Sequence, residues 1–323
     1  MSKEKVLNLL EQHRGTYLTG NVLKDHLGVS RNAIWKAIQG LKAEGHDIEA
    51  QKNKGYRLRK DSDVLHLVSL QEALGKNHPY ELHLLPEVPS TNTWLKELDN
   101  QRNNTLVFAK KQTAGRGRQG RSFHALDEEG LYFSLLKTTD LERYNPALVT
   151  MACAVALQEV LEETMDAPVS IKWVNDLYIG DKKVSGILTE GSLEMETGSY
   201  SSLIIGIGIN VNTKTFPKEL EDIATSMTLF TGKTFHRVAL AKKILEKVEG
   251  YLLLTKEDPE ALLSRYKDHL LYLGKTILFT QEGQEQSGQL VDLTKEGHLL
   301  VEREGRLLTL HSGEIRIRKG DLV

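Results

Sequence analysis

Several features that would place a protein in a special class are missing from this 323-residue sequence. A single cysteine, Cys153, excludes an internal disulfide, and its apolar neighbours Met151, Ala152, Ala154 and Val155 indicate a packing role. No apolar run approaches the roughly 18 residues that span a membrane, and the first residues lack the apolar core of a signal peptide. These absences predict a cytoplasmic protein with no membrane partner.

The charge of the chain is unevenly distributed. The net charge is only −2, yet residues 1–60 hold 12 Lys and Arg against 6 Asp and Glu, a balance of +6. The other 263 residues therefore balance at −8. A basic terminal module on an acidic body favours a nucleic-acid partner for that module, and the length suits two or three domains.

The first 60 residues have the pattern of a winged helix-turn-helix. Helices are predicted over 3–13, after Thr19 and after Ser30, and residues 46–58 alternate as a hairpin. One face of the third helix is apolar, so its opposite face is predicted to enter the major groove. The residues predicted to contact DNA are Thr19, Ser30, Arg31, Asn32, Trp35, Lys36, Gln39, Lys52 and Lys54. The alternative is a small three-helix interaction domain with solvated charges. Trp35 itself is either a base contact or a partly buried edge residue.

A basic, glycine-rich stretch at residues 110–123 is the most unusual segment. Residues 110–121 hold five positive charges and no negative one, and three glycines let a ligand approach the backbone. The pattern fits neither a dinucleotide fingerprint nor a P-loop, because no helix pattern follows the glycines. The stretch is therefore predicted to be a loop between two strands that binds an anion. The alternatives are a solvated basic turn or a nucleic-acid contact.

The rest of the chain predicts one mixed domain and one small all-β domain. A linker with a short helix at 69–74 comes first. Predicted strands follow at 82–89, 105–109, 131–136, 169–179 with an internal turn, 183–190 and 202–209, and predicted helices at 93–98, 146–163, 237–254 and 259–271. Five further short strands, at 275–279, 287–293, 298–301, 306–310 and 314–318, have the spacing of a small barrel.

Polar residues and glycines interrupt the apolar strands. Lys172 and Lys183 are costly to bury unpaired, so either Asp176 and Glu190 or a ligand phosphate must compensate them. Alternating glycines weaken the strand at 202–209 unless something packs closely against its backbone.

Two hydroxyl groups, those of Ser90 and Thr91, precede the helix predicted at 93–98. They can cap that helix, or they can bind a ligand beside its first turn. The residue pattern leaves both possibilities open.

Five motifs together resemble one family, the bifunctional bacterial biotin protein ligases that act as biotin operon repressors. The motifs are Ser90-Thr91-Asn92, Gly115-Arg116-Gly117-Arg118-x-Gly120-Arg121, Lys172-Trp173-x-Asn175-Asp176, Lys183-x-x-Gly186-Ile187-Leu188-x-Glu190 and Gly206-Ile207-Gly208-Ile209-Asn210-x-Asn212. They follow the family's order and approximate spacing, and the resemblance covers essentially the whole chain. It implies an α+β protein with a winged helix-turn-helix at 1–60, a linker at 61–80, a mixed-sheet ligase domain of the class II synthetase type at 81–273 and an SH3-like barrel at 274–323.

The resemblance also implies an activity. The biotin carboxylate attacks the α-phosphate of ATP to give biotinyl-5′-adenylate and pyrophosphate, and a lysine of biotin carboxyl carrier protein then displaces AMP. The implied small molecules are ATP, Mg²⁺ and biotin. The adenylate also serves as corepressor, and the protein that holds it is expected to dimerise and bind operator DNA. Because both initial reactants are anions, fixed cations are expected to stabilise the transition state.

The same resemblance distributes roles among the motif residues. Those implied for biotin are Ser90, Thr91, Asn92, Gln112, Arg116, Gly117, Arg118, Lys183 and Gly186. Those implied for ATP or the adenylate are Gly115, Arg118, Arg121, Phe123, Lys172, Asn175, Asn210 and Arg318. Arg118, Lys183 and Arg121 are the implied catalytic cations, Asp176 orients the acceptor amine, and metal ligands are left unassigned.

Two positions depart from the family pattern, which usually has tryptophan where this chain has Phe123 and proline where it has Val174. Phenylalanine can stack on adenine but lacks the indole N–H donor, and loss of proline is expected to loosen one turn. Because like charges crowd residues 110–123, we expect biotin or the adenylate to order this loop. The alternative functions are a ligase with a vestigial DNA-binding domain, a lipoate ligase and a metabolite-sensing repressor without catalysis.

Overall fold

The computed structural model describes residues 2–125, 128–139, 141, 144–193, 196, 200–281, 284–311 and 315–316. It begins with three helices and a two-stranded antiparallel hairpin. These are α1 (Ser2–Gln12), α2 (Gly20–Leu27), α3 (Arg31–Ala43), β1 (Ile48–Gln51) and β2 (Gly55–Leu58). The predicted winged helix-turn-helix pattern is therefore confirmed.

Local capping fixes the ends of the second and third helices. The Thr19 and Ser30 hydroxyls accept hydrogen bonds from the backbone N–H groups of Val22 and Ala33, at the first turns of α2 and α3. Gly28 ends α2 in the left-handed region, with φ of 64°. The apolar face of α3 then closes the core of this unit, because Ile34, Ala37, Ile38 and Leu41 are all buried.

A seven-stranded mixed sheet forms the centre of the molecule. Its strands are β3 (Glu81–Val88), β4 (Thr105–Gln112), β5 (Leu131–Lys137), β6 (Ser170–Lys172), β7 (Asp176–Ile179), β8 (Lys182–Leu193) and β9 (Tyr200–Ile209). Their order across the sheet is β3-β4-β5-β9-β8-β7-β6, with β3 and β4 parallel and the other neighbouring pairs antiparallel.

Helices cover both faces of this sheet. They are α4 (Leu67–Leu74), α5 (Thr91–Lys96), α6 (Pro146–Met165), α7 (Met227–Thr231), α8 (Arg237–Glu257) and α9 (Pro259–Asp268). Helix α6 is buried along most of its length because it lies between the sheet and helices α8 and α9. Helix α5 lies on the opposite face, where Leu95 packs with Val107, Leu136 and Ile204 in a smaller cluster.

The last segment forms a five-stranded antiparallel sheet. Its strands are β10 (Thr276–Gln281), β11 (Gln284–Leu293), β12 (Leu299–Arg303), β13 (Arg306–Leu310) and β14 (Ile315–Arg316), in the order β13-β12-β11-β10-β14. Its buried residues, such as Ile277 and Leu299, belong to the same hydrophobic core as α6. The indole N–H of Trp173 donates to the Gly297 carbonyl at 2.9 Å, which ties this sheet to the turn between β6 and β7.

A buried ion pair joins the segment that follows the wing to the central domain. The Arg237 Nε lies 2.7 Å from Asp63 Oδ2, and both side chains are almost fully buried. Arg237 also donates to the Gly130 carbonyl at 3.1 Å, and Asn212 Nδ2 donates to Asp63 at 2.9 Å. The predicted linker therefore includes both a packed helix, α4, and an anchored carboxylate.

Several predicted helices have different ends in the structure, and two of them lie beside the central sheet. The helix expected at 93–98 is α5, which begins at Thr91, directly after Ser90 at the N-cap position, and ends at Lys96. The helix expected at 259–271 is α9, which ends at Asp268 because Leu271 donates its backbone N–H to Ile171 of β6 at 2.8 Å. Across the part of the chain that the structure describes, no helix is both long and apolar enough to cross a membrane.

Candidate functional site

One cavity of about 600 Å³ collects the residues predicted to bind ligand. Its lining includes Ser90, Thr91, Asn92, Gln112, Gly115, Arg116, Gly117, Arg118, Arg121, Phe123, Lys172, Asn175, Lys183, Gly186 and Asn210. Arg318 lies outside the described residues. Segments far apart in sequence are thus brought together on the face of the central sheet that carries α5.

The alternation of glycine and isoleucine in β9 follows from the two faces of the sheet. Ile205, Ile207 and Ile209 belong to the main core, and the glycines between them project to the opposite face. A Cβ at Gly206 would lie 2.2 Å from Asn92 Oδ1, and one at Gly208 would lie 2.6 Å from the Phe123 ring. The predicted close packing against this strand is confirmed, since both glycines leave space for site residues.

A buried polar network forms one end of the cavity. Gln112 Oε1 accepts from the Thr91 backbone N–H at 2.8 Å and lies 3.1 Å from the Thr91 hydroxyl. The hydroxyl of Ser134, on β5, lies 2.6 Å from both Thr91 Oγ1 and Asn92 Oδ1. The Ser90 side chain makes no capping hydrogen bond to α5. This end is polar but carries no charge of its own, which suits a neutral ring.

The glycine-rich loop is held by its own backbone. The Phe123 N–H donates to the Gly115 carbonyl at 2.8 Å, and the Gly117 N–H donates to the Arg121 carbonyl at 2.7 Å. A Cβ at Gly115 would lie 2.4 Å from the Phe123 carbonyl oxygen, so only glycine permits this approach. The loop therefore folds back on itself and presents Arg118 and Arg121 to the cavity.

The cations of the site have different environments. Lys183 Nζ lies 2.7 Å from Asp176 Oδ1 and 5.8 Å from the centre of the Phe123 ring. Lys172 Nζ lies 5.5 Å from the centre of the Tyr178 ring. Burial lowers the pKa of Arg118, although the nearby Asp176 opposes this shift. Desolvation of a guanidinium favours an anionic ligand beside it.

Of the two compensations expected for the strand lysines, acidic side chains or a ligand phosphate, the structure shows an acidic partner for Lys183. Asp176 pairs with Lys183, but Glu190 pairs with Lys96 of α5 at 2.7 Å. Glu190 is on the same face of β8 as Gly186 and Leu188, which line the cavity, but it lies farther along the strand, against α5.

The two asparagines expected at the nucleotide end use their amide nitrogens within the chain. Asn175 Nδ2 donates to Asp176 Oδ1 at 2.9 Å and to the Ile187 carbonyl at 3.0 Å. Asn210 Nδ2 donates to the Thr225 carbonyl at 3.1 Å. Both side chains therefore brace loops around the cavity.

Some lining residues were not predicted. Apolar residues Ile187, Leu188, Phe216, Leu220, Ile223 and Ala224 and polar or aromatic residues Thr113, Ser122, His124, Trp173 and Tyr178 also border the cavity. The segment at 216–224 has no periodic pattern that separates a ligand contact from ordinary surface. In the structure, Ile223 of this segment is 58% exposed although it is large and apolar.

No group of three or more His, Cys, Asp or Glu side chains within the described ranges could hold a metal ion. Asp176 is the carboxylate in the cavity lining, and Lys183 already neutralises it. A divalent ion that reaches this site therefore suits the phosphates of a nucleotide better than a cage of side chains.

The winged unit presents its predicted DNA contacts to solvent. Asn32, Lys36 and Gln39 are exposed on α3, and Trp35 is 52% exposed, which fits both a base contact and a partly buried edge residue. Arg31 donates to Asn21 at 2.8 Å. Lys52 and Lys54 are exposed at the tip of the hairpin, whereas Thr19 and Ser30 act as helix caps.

Comparison with known proteins accounts for all three parts of the chain. The model of the biotin/lipoate A/B protein ligase family matches residues 84–210, a helix-turn-helix domain model matches 2–57, and the biotin protein ligase C-terminal domain matches 272–318. The chain is 33% identical to the bifunctional ligase/repressor BirA of Bacillus spizizenii, and the alignment covers 98% of each chain. This chain belongs to the BirA family.

Other members of the family agree. BirA of Bacillus subtilis is 34% identical over 98% of each chain, and BirA of Escherichia coli is 28% identical over 95% of each. The solved biotin protein ligase of Aquifex aeolicus, in complex with biotin and ATP, has a TM-score of 0.66 and 35% identity. That similarity covers 75% of this chain and 99% of the Aquifex chain.

Proposed function

We propose that this chain is an ATP-dependent biotin protein ligase that is also a biotin-responsive repressor. The observation that carries the proposal is the convergence of the motif residues on one cavity, with a neutral polar network at one end and Arg118, Arg121, Lys172 and Lys183 elsewhere in its lining. The biotin and ATP named for the Aquifex structure supply one neutral ring and two anionic groups. The two ligands match the two kinds of lining.

In the proposed reaction, the carboxylate of biotin attacks the α-phosphate of ATP, and the bond to pyrophosphate breaks. Ser90, Thr91 and Gln112 hold the ureido ring, while Arg118 and Lys183 stabilise the charge that grows at phosphorus. Arg121 and Lys172 bind the nucleotide phosphates, and Phe123 stacks on the adenine. Those phosphates would hold a magnesium ion, which would neutralise part of their charge. A carrier lysine then displaces AMP, with Asp176 orienting its amine.

Transfer to a carrier tests the ligase. Purified protein, ATP, Mg²⁺ and labelled biotin are incubated with a biotin carboxyl carrier domain, and a carrier whose acceptor lysine is arginine serves as the matched control. Label is expected only in the lysine-bearing carrier and only with ATP and Mg²⁺. Label from lipoic acid and none from biotin would favour a lipoate ligase instead. No transfer of either acid would support the non-catalytic sensor.

The exposed face of α3 supports the repressor function, because Asn32, Lys36 and Gln39 are free of core packing. We propose that the adenylate-bound chain forms a homodimer that binds operator DNA. A mobility-shift assay on the biotin-gene promoter, with and without biotin plus ATP, tests this. A shift with ligand that Lys36→Ala weakens is expected. A protein that ligates biotin but never shifts the promoter has a vestigial DNA-binding domain.

We further propose a separate function for each domain of the chain. Residues 1–60 bind DNA, 61–80 connect, 81–273 carry the ligase site, and 274–323 form a small barrel whose Arg318 reaches the adenylate. We propose that the protein is cytoplasmic, because ATP and the carrier protein, its proposed substrates, are made in the cytoplasm.

A further inference from the structure

We propose that Glu190 is a positioning residue that sets the donor–acceptor polarity of the polar end of the cavity. It does so through a chain of hydrogen bonds that passes through Asn92 and Ser134 to Thr91. The proposal rests on the proposed function in taking the ureido ring of biotin as the ligand of that end.

The series of hydrogen bonds starts at the Glu190 carboxylate, which can accept hydrogen bonds but cannot donate them. One Glu190 oxygen lies 2.7 Å from Lys96 Nζ, and the other accepts from Asn92 Nδ2 at 2.8 Å. Burial raises the pKa of Glu190, but hydrogen bonds from Lys96 and Asn92 outweigh it and hold the pKa below its usual range. Arg116 approaches the Lys96-bound oxygen only to 4.0 Å, beyond hydrogen-bond distance. Glu190 is therefore ionised at neutral pH and has no proton to donate.

This carboxylate fixes the orientation of the Asn92 amide. The Asn92 nitrogen faces two acceptors, Glu190 Oε2 and the Leu188 carbonyl at 3.2 Å, so its oxygen must face Ser134. The side chain is only 2% exposed, and in the reversed orientation its oxygen would face the Glu190 carboxylate and the Leu188 carbonyl, neither of which can donate.

The orientation of Asn92 then determines the direction of the hydroxyls. Ser134 lies 2.6 Å from Asn92 Oδ1, which has no proton, so Ser134 donates there. A hydroxyl has one proton, and at its other 2.6 Å contact Ser134 must accept from Thr91. The Thr91 proton is thereby committed to Ser134 at 2.6 Å and not to Gln112 Oε1, which lies farther away, at 3.1 Å, and already accepts the Thr91 backbone N–H.

The result is a complementary pair of groups at the polar end. Thr91 offers a lone pair to a ligand N–H. Gln112 uses its oxygen to accept the Thr91 backbone N–H at 2.8 Å, which leaves its amide nitrogen as a donor for a ligand carbonyl. A cyclic urea has an N–H beside its carbonyl. If these hydrogen bonds ran in the opposite direction, the Thr91 hydroxyl would point its proton at the ligand N–H, and neither group could accept.

The test uses Glu190→Gln and the double variant Lys96→Met/Glu190→Gln. A glutamine has one acceptor oxygen where the carboxylate has two, and the Lys96 ammonium competes for it. In the single variant, the Asn92 nitrogen then faces an amide NH₂ group, which cannot accept from it. The hydrogen bonds from Asn92 through Ser134 to Thr91 are then no longer held in one direction. Without the ammonium, the single oxygen is free for Asn92. Lys96→Met alone, which leaves the carboxylate in place, is the matched control.

Binding of biotin and of ATP is measured by calorimetry on the full chain. We expect Glu190→Gln to weaken biotin roughly 10- to 100-fold, the cost of an unsatisfied buried polar group, with ATP affinity unchanged within about twofold. The double variant should recover biotin affinity to within about threefold of Lys96→Met.

The proposal is overturned by equal losses of biotin and ATP affinity, which indicate general loss of structure, or by a double variant as weak as the single one. Wild-type affinity in Glu190→Gln also overturns it and leaves the proposed function intact. A wild-type chain that binds no biotin overturns both.

Discussion

Replacing Asp63 by alanine tests how firmly the segment after the wing is fixed to the ligase domain. The Asp63 and Arg237 side chains are only 12% and 8% exposed, so the substitution leaves a buried guanidinium without its counter-charge. Removing one partner of such a pair costs about 3–5 kcal/mol. Arg237 keeps the Gly130 and Asp63 carbonyls as acceptors, so we expect the lower end, about 3 kcal/mol.

Urea unfolding followed by circular dichroism measures this loss. With a slope of about 3 kcal/mol/M, the midpoint should fall by about 1 M. Asp63→Ala combined with Arg237→Met should recover most of the stability, because the double variant leaves no buried charge. Glu163→Ala is the matched control, since it breaks the exposed pair with Lys243 and should cost less than about 0.5 kcal/mol. A midpoint in Asp63→Ala no lower than in this control would refute the reasoning.

Three further outcomes follow from the described contacts. Amides in residues 110–123 should exchange more slowly once biotin is bound, and equal rates would contradict a ligand-ordered loop. Burial, with a smaller effect of His66, lowers the pKa of His46 from 6.5 to about 4, so the stability from its neutral ring is lost as pH falls from 6.5 towards 4. His46→Gln should therefore reduce the slope of the unfolding free energy against pH in that window by the equivalent of about one bound proton. An unchanged slope would contradict this reasoning. Gly206→Ala should weaken biotin at least roughly 10-fold by displacing Asn92, whereas Gly250→Ala, in open space on α8, should add about 0.5–1 kcal/mol of stability.

The framework was predictable because it depends on local periodicity. The i, i+3, i+4 spacing on α3 and the alternation along β9 each match the face that is buried. The errors occur where a contact distant in sequence decides the outcome. Helix α9 stops early because Leu271 pairs with Ile171, one hundred positions before it along the chain.

In the candidate site, too, features with a local sequence pattern were predictable and those set by contacts distant in sequence were not. Charged and glycine-rich motifs are rare in a core, so they marked the cavity from the sequence. Ser134 gave no signal, because it is one polar residue inside the apolar strand β5, and its meaning depends on Asn92, 42 positions away. Glu190 was visible as a motif residue, but its partner was not, since the pairing with Lys96 requires α5 to lie against β8.

Biotin-dependent exchange of labelled pyrophosphate into ATP tests the central claim most directly, because it reports adenylate formation in the cavity without carrier or DNA. The wild-type chain should catalyse exchange only with biotin present, and Lys183→Gln should slow it by roughly 100-fold or more. Exchange that needs no biotin, or that Lys183→Gln leaves unchanged, would contradict the assignment of this cavity as the place where the carboxylate meets the α-phosphate.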